Sequence, residues 1–318
     1  MFLLLSEAQG IPDAVKYYTN ILYHEFIFYP KEGIIYKNDS DNYYIIVKGG
    51  DNKLSFFNEL LMEVIIYENN HDASYYKFDV SGWDENNRKF DRIFIKINMK
   101  SDEIPRLRED ISHELHHAYE DYKRIANKKE GFLDLRNNIT STDTIEMRAI
   151  YNEFKDDDIL LKLSNYIYYL LGVEKRANVS AMYQELIKFK LTKQDINDGA
   201  YKKMRFYEKY LTIINLTPKM VDSLNSEQLE LFGRYVRASS INKIYSPNSS
   251  VFKKNLINYF KTESEEMLIK SRKMLMEYLT DYHLLEKTNI DRPKSRNQIM
   301  DEIISSVTNL DSTKKIIK

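Results

Sequence analysis

Residues 103–126 read EIPRLREDISHELHHAYEDYKRIA, and the spacing of their apolar side chains decides how the chain is organised. With Ile104 at zero and about 100° per residue, Ile104, Leu107, Ile111, Leu115, Ala118, Tyr122 and Ile125 fall in a stripe about 80° wide. The stripe predicts a helix with one buried face. Asp102 is placed to cap it, and Pro105 lies in the first turn, where a missing N–H is tolerated. His113 and His117 lie about 40° apart on the same wheel, nearly opposite the stripe.

Upstream, residues 11–28 read as an amphipathic helix opening at Pro12. Strand-like runs follow at 33–37, 43–48, 63–67, 75–80 and 92–98, separated by Asn, Asp, Gly and Ser turn signals. Residues 54–62 fit a short helix between two strands. In the last run Ile93, Ile95 and Ile97 alternate with Phe94, Lys96 and Asn98, the period of a half-buried strand. Downstream, apolar positions recur at three and four over 143–155, 158–171, 179–190, 200–214, 219–237, 251–260 and 263–286, with breaks near Gly172, Pro218 and Pro247. The expected fold class is α+β: a small, mostly antiparallel N-terminal sheet packed on helix 103–126, followed by a long, mostly helical part. The expected domains are 1–155 and 156–318.

Composition narrows the function classes. The 318 residues are 43% hydrophobic and 30% charged, with a formal net charge of -1. That balance suits a globular protein and lacks the basic surplus of a nucleic-acid binder. No apolar run approaches the roughly 20 residues of a membrane span. Nor does the start carry the apolar core of about 7–15 residues of a secretory signal. A cytoplasmic or virion-associated protein is expected, with neither nucleic acid nor membrane as partner. There is no cysteine, so any transition metal must be held by His, Asp or Glu.

The segment His113-Glu114-Leu115-His116-His117 fits the H-E-x-x-H pattern. Two imidazoles one helical turn apart can converge on one cation, as zinc requires. Glu114, rotated about 100° from His113, can reach a water at the metal without ligating it. Arg106, Asp110, Glu120 and Arg124 share the polar face, so a merely solvated face is the competing reading. His116 projects away from the pair and reads as a support for the ligands or a surface residue.

A catalytic zinc takes a third protein ligand. The next histidine is His283, and Glu120 and Lys123 stand where a longer motif would place glycine and a third histidine. A carboxylate is therefore expected. Glu146, in the following helical segment, is the candidate, with Glu153 two turns on as a second. Against Glu146 stands the capping box that Asp143-Thr144-Ile145-Glu146 resembles, in which the glutamate only caps its own helix. Arg148 and Asn152 read as surface residues.

The motif His113–His117, the downstream Glu146-Met147-Arg148-Ala149 and the preceding strand 92–98 together resemble the zincin metallopeptidases, specifically the gluzincin type. The resemblance covers about residues 90–155, under a quarter of the chain. It implies a zinc metalloendopeptidase acting on a protein or peptide substrate, with Zn2+ as cofactor. His113, His117 and Glu146 would be metal ligands and Glu114 the general base. It also implies that 92–98 is an edge strand on which extended substrate pairs, which makes Ile95 and Ile97 substrate-binding residues. The helical part carries no matching motif and is the expected surface for partner chains. The bias toward Tyr, Asn, Lys and Ile is similar to that of phage-encoded proteins. The alternative expectation is thus a structural or assembly protein, such as a virion, neck or tail component, retaining a zincin-like fold. A toxin or effector protease ranks third.

Overall fold

The computed structural model describes residues 11–28, 41–49, 53–67, 75–78, 83–84, 88–126, 145–192, 194–195 and 198–288. The described helices are α1 (Asp13–Phe28), α2 (Leu107–Ala126), α3 (Ile145–Phe154), α4 (Asp158–Leu170), α5 (Gly172–Phe189), α6 (Arg205–Ser223), α7 (Ser226–Ala238) and α8 (Ser249–Thr288). The strands are β1 (Asp41–Lys48), β2 (Phe57–Tyr67), β3 (Tyr75–Phe78), β4 (Trp83–Asp84) and β5 (Lys89–Lys100). The architecture is α+β, a small N-terminal sheet followed by a mostly helical part. The expected strand at 33–37 lies outside the described residues.

The sheet runs β1-β2-β5-β3, with β4 also paired to β5. β1 with β2, β3 with β5 and β4 with β5 are antiparallel, while β2 and β5 are parallel. The parallel register sets Leu60 beside Ile93, Met62 beside Ile95 and Val64 beside Ile97. All six are 0% exposed, and burying each such side chain stabilises by about 1.5–3 kcal/mol. Residues 54–62 were expected to form a helix, but from Phe57 they are strand. Leu60, Met62 and Val64 alternate along the inner face of a strand paired on both sides, and this two-sided pairing overrides the local helical spacing.

β5 is therefore a central strand, which corrects the expectation that 92–98 forms an edge. One flank pairs with β2, and the other pairs with β3 and β4. Ile95 lies opposite both Met62 and Tyr76, and Ile97 lies opposite Val64. Both are 0% exposed in the core.

Aromatic side chains fill the space beneath the sheet. Phe56 meets Tyr119 and Tyr122 of α2 at centroid distances of 5.3 and 5.5 Å, and Tyr18 of α1 meets Phe57 at 4.6 Å. Ile111, Leu115 and Ala118, the predicted apolar stripe, are 0% exposed. The loop into β2 turns at Gly49, whose N–H donates to the Asn58 carbonyl at 2.8 Å.

The chain forms two compact units that do not divide at residue 155. One comprises 1–129, 177–197 and 274–318, and the other comprises 130–176 and 198–273. The physical reason is that α5 returns to pack on α2. In the second unit Asp157 caps α4, and Arg234 of α7 forms a two-pronged ion pair with Glu153 of α3, both contacts 2.9 Å. The helix at 205–223 passes through Pro218, where a break was expected. The Thr217 hydroxyl donates to the Ile213 carbonyl at 2.8 Å, and Val221 anchors the following turn in the core. Segments 251–260 and 263–286 are one 40-residue helix. Among the described residues no helix is long and apolar enough to cross a membrane.

Candidate metal centre

The helix that carries the histidines is entered through a 3-10 turn, Ser101–Arg106, which accommodates Pro105. The Lys100 backbone N–H donates to the Glu103 carboxylate at 3.0 Å. The entry is thus closed by Glu103 and not by Asp102 as expected, because the α-helix proper starts only at Leu107.

His113 and His117 lie one turn apart, with ring planes crossing at 82° and Nε2 atoms 3.1 Å apart. Both rings thus aim the same nitrogen at one point. A cation about 2.05 Å from each nitrogen would see them at about 100°, close to the tetrahedral angle zinc takes. The third group that meets them is Glu174, in the first turn of α5: one ligand atom from each of His113, His117 and Glu174 lies within 4.8 Å of the others. Glu174 is 7% exposed, His117 8%, and His113 half-buried. A buried carboxylate is costly unless a cation or donors compensate it. Two neutral nitrogens and one carboxylate oxygen form a donor set that suits a borderline divalent ion. These residues can therefore hold a metal ion.

Much of the polar face of α2 is withdrawn from solvent. Glu109, Ser112, Glu114, His116, His117 and Asp121 are all buried, alongside the apolar stripe. α5 packs on part of this face and is itself polar on its buried side: Asn178, Ser180, Gln184 and Glu185 are 4% exposed or less. The two helices meet through a ladder of polar contacts. His116 Nδ1 lies 2.6 Å from the Ser180 hydroxyl, Arg108 Nε donates to Gln184 at 2.7 Å, and Lys188 lies 3.6 Å from Glu109. As the α5 numbers rise the α2 numbers broadly fall, an antiparallel pairing. α5 runs unbroken from Gly172 to Phe189.

His116, read from the sequence as a support or a surface residue, is buried at 8% exposure. Its Nε2 faces the Glu120 carboxylate at 3.5 Å while Nδ1 meets Ser180. Burial pushes the imidazole below its ordinary range against the opposing pull of Glu120. The tautomer that suits both neighbours carries the proton on Nε2 and accepts the Ser180 O–H at Nδ1. Glu114, next to His113, is 7% exposed.

Of the sequence-derived site residues, His113, His117 and Glu114 sit together on α2. Glu146 falls in α3, but its side chain lies outside the described residues. Glu153 belongs to the ion pair with Arg234 and lines, with Ala149, Ile150, Arg234 and Arg237, a separate cleft of about 350 Å³ in the second unit. Glu174 went unselected. Its only sequence signal is an acidic residue in the first turn after the Gly172 break, and such residues are common at helix starts. No family model, curated protein or solved structure matches the chain.

Proposed function

We propose that the chain is a zinc-dependent peptidase of the gluzincin type, with His113, His117 and Glu174 holding the ion and Glu114 as general base. The observation that carries this reading is the convergence of the two Nε2 atoms, 3.1 Å apart, beside a buried carboxylate from a second helix. Glu174 takes the ligand role that the resemblance gave to Glu146.

Zinc bound there would supply Lewis acidity, polarising a scissile carbonyl and lowering the pKa of water. The chain's own chemistry falls to Glu114. Its carboxylate accepts a proton from the attacking water as the water oxygen bonds to the carbonyl carbon. It then delivers that proton to the leaving nitrogen as the C–N bond breaks. The surrounding buried polar seam excludes bulk water and strengthens each of these interactions. The competing reading, an assembly protein that keeps a zincin-like site, shares the metal but not the hydrolysis.

Elemental analysis of the purified protein should find near one zinc per chain. Glu114→Gln should retain that zinc and lose hydrolysis of an unstructured protein such as casein. Glu174→Gln should lose the zinc, and Glu146→Gln should keep it. Undiminished hydrolysis by Glu114→Gln would refute the general-base role. Zinc with no hydrolysis across a broad peptide library would favour the assembly reading.

A further inference from the structure

The second unit holds a cleft that the metal reading does not use. It measures about 350 Å³ and is lined by Ala149, Ile150 and Glu153 of α3 and by Arg234 and Arg237 of α7. That volume lies at the small end of ligand-binding cavities. The two helices are held together beside it by Phe154 of α3, which is 2% exposed and meets Tyr235 of α7 edge-on at a centroid distance of 5.4 Å. One wall is apolar, made by Ala149 and the buried Ile150, and the other lining residues are charged.

The two arginines differ in what already holds them. Arg234 donates from both terminal nitrogens to the two Glu153 oxygens at 2.9 Å each, which uses two of its five N–H donors. The pair is 42% and 46% exposed, so water competes with it and it opens at little cost. Arg237 carries its guanidinium carbon 4.8 Å from the centre of the Tyr245 ring. Such a contact restrains the guanidinium and leaves N–H donors for an oxygen acceptor. Tyr245 is itself fixed: its ring meets Phe252 at 5.3 Å and packs on Gly233, where a Cβ would come within 3.0 Å of it. Among the described residues no carboxylate pairs with Arg237.

Charge and shape then define a ligand. Two guanidiniums and one carboxylate leave a single positive charge in the cleft. A monoanion neutralises it, whereas a phosphate dianion overshoots and is repelled by Glu153. A planar carboxylate also matches the guanidinium fork, as the Glu153–Arg234 pair shows. We propose that this cleft binds a small monocarboxylate with an apolar body. Its carboxylate sits on Arg237 and the spare donors of Arg234, and its body lies against Ala149 and Ile150. Such a group comes from a free organic acid or from the C-terminal residue of a peptide. Glu153 competes with the ligand for Arg234 and so limits how tightly the acid is held. All the residues involved belong to the second unit, and the proposal stands apart from the metal reading.

The test is isothermal titration calorimetry of the full chain with N-acetylleucine, N-acetylleucinamide, the tripeptide Ala-Ala-Leu and inorganic phosphate. N-acetylleucine should bind once per chain with a dissociation constant of roughly 1 mM. The amide, which lacks the charge, should bind about tenfold more weakly or worse. A tripeptide that binds more tightly than N-acetylleucine assigns the cleft to peptide ends, and one that binds no more tightly assigns it to free acids. Arg237→Gln changes an exposed side chain, so it should unfold at the wild-type temperature and weaken N-acetylleucine about tenfold. Glu153→Gln keeps a hydrogen-bond acceptor for Arg234 and removes the competing charge, so it should tighten N-acetylleucine severalfold. A pair that only braced α3 against α7 would give a lower unfolding temperature and unchanged affinity in that variant. The proposal is overturned if acid and amide bind alike, or if phosphate binds more tightly than the acid. It is equally overturned if Arg237→Gln binds like wild type or if Glu153→Gln binds no more tightly.

Discussion

Nε2 of His113 faces Nε2 of His117 across 3.1 Å. Without a metal, one ring must donate a proton to the lone pair of the other, so the two rings hold different tautomers. A bound cation would take both lone pairs and make the tautomers alike, with the proton of each ring on Nδ1.

The first prediction follows from that pair. Zinc should stabilise the fold by about 2.7 kcal/mol at a free concentration 100 times its dissociation constant. Differential scanning fluorimetry with and without a chelator reads this as an upward shift of several degrees. In His117→Ala the shift should vanish. A shift of equal size in that variant would place the zinc elsewhere.

Asp157 sets the second prediction. Its carboxylate accepts from the Ile159 and Leu160 backbone N–H groups at 3.0 Å each and from Gln228 at 2.8 Å. Partial burial raises its pKa, but these three donors outweigh it and hold the carboxyl below its ordinary value of 3.8. A depressed folded pKa gives stability that is present above the unfolded value and lost as pH falls through the folded one. Asp157→Ala should therefore cost about 1 kcal/mol at pH 7, as a lost N-cap does. That difference should shrink below pH 3.8, read from urea midpoints at several pH values.

Gly49 sets the third. A Cβ there would press on the Phe57 carbonyl oxygen and the Ser55 hydroxyl, and Ser55 already donates to that carbonyl at 2.5 Å. The Phe57 carbonyl belongs to the backbone of β2 and is held by strand pairing, so it cannot withdraw. Gly49→Ala should destabilise by about 1–3 kcal/mol, the usual cost of overpacking, measured by chemical denaturation. Wild-type stability would mean that the turn adapts.

The fourth concerns alkaline pH. Lys16 meets Glu277 at 2.5 Å and Asp281 at 2.7 Å, and Tyr183 donates its hydroxyl to Asp281. Burial lowers the Lys16 pKa, but the two carboxylates outweigh it and leave the pKa above 10.5. Burial, then Asp281 and Glu277, raise that of Tyr183 above its ordinary 10.0. In both cases the folded state keeps a proton that the unfolded state releases, so the stability is intact below pH 10 and falls above it. Thermal midpoints between pH 8 and pH 11 should fall less steeply in Tyr183→Phe than in wild type. Parallel slopes would remove Tyr183 from the alkaline transition.

Local periodicity made much of this legible. The seven-residue apolar stripe of 103–126 announced α2 and the phase of its histidines, and the Ile93-Ile95-Ile97 alternation announced a buried strand. What periodicity cannot say is who the neighbours are. The same alternation fits an edge or a centre, and only the pairing of β5 with residues 57–66 and 75–78 decides between them. Glu174 was hidden for a related reason. Its helix buries polar residues toward another polar face, so the contrast that marks an amphipathic helix is muted and the apolar spacing emerges only from 179 onward. The histidine motif carried its own signal, whereas its complement depended on two helices meeting.

The tie between His116 and Ser180 spans 64 positions of the chain. During synthesis, α2 leaves the ribosome well before α5 exists. Until α5 emerges, the helix that carries His113 and His117 stands with much of its polar side uncovered. The shielding of His116 from solvent therefore waits until the chain has been made through Ser180. The order of the elements along the chain thus acts as a delay on closing that polar seam.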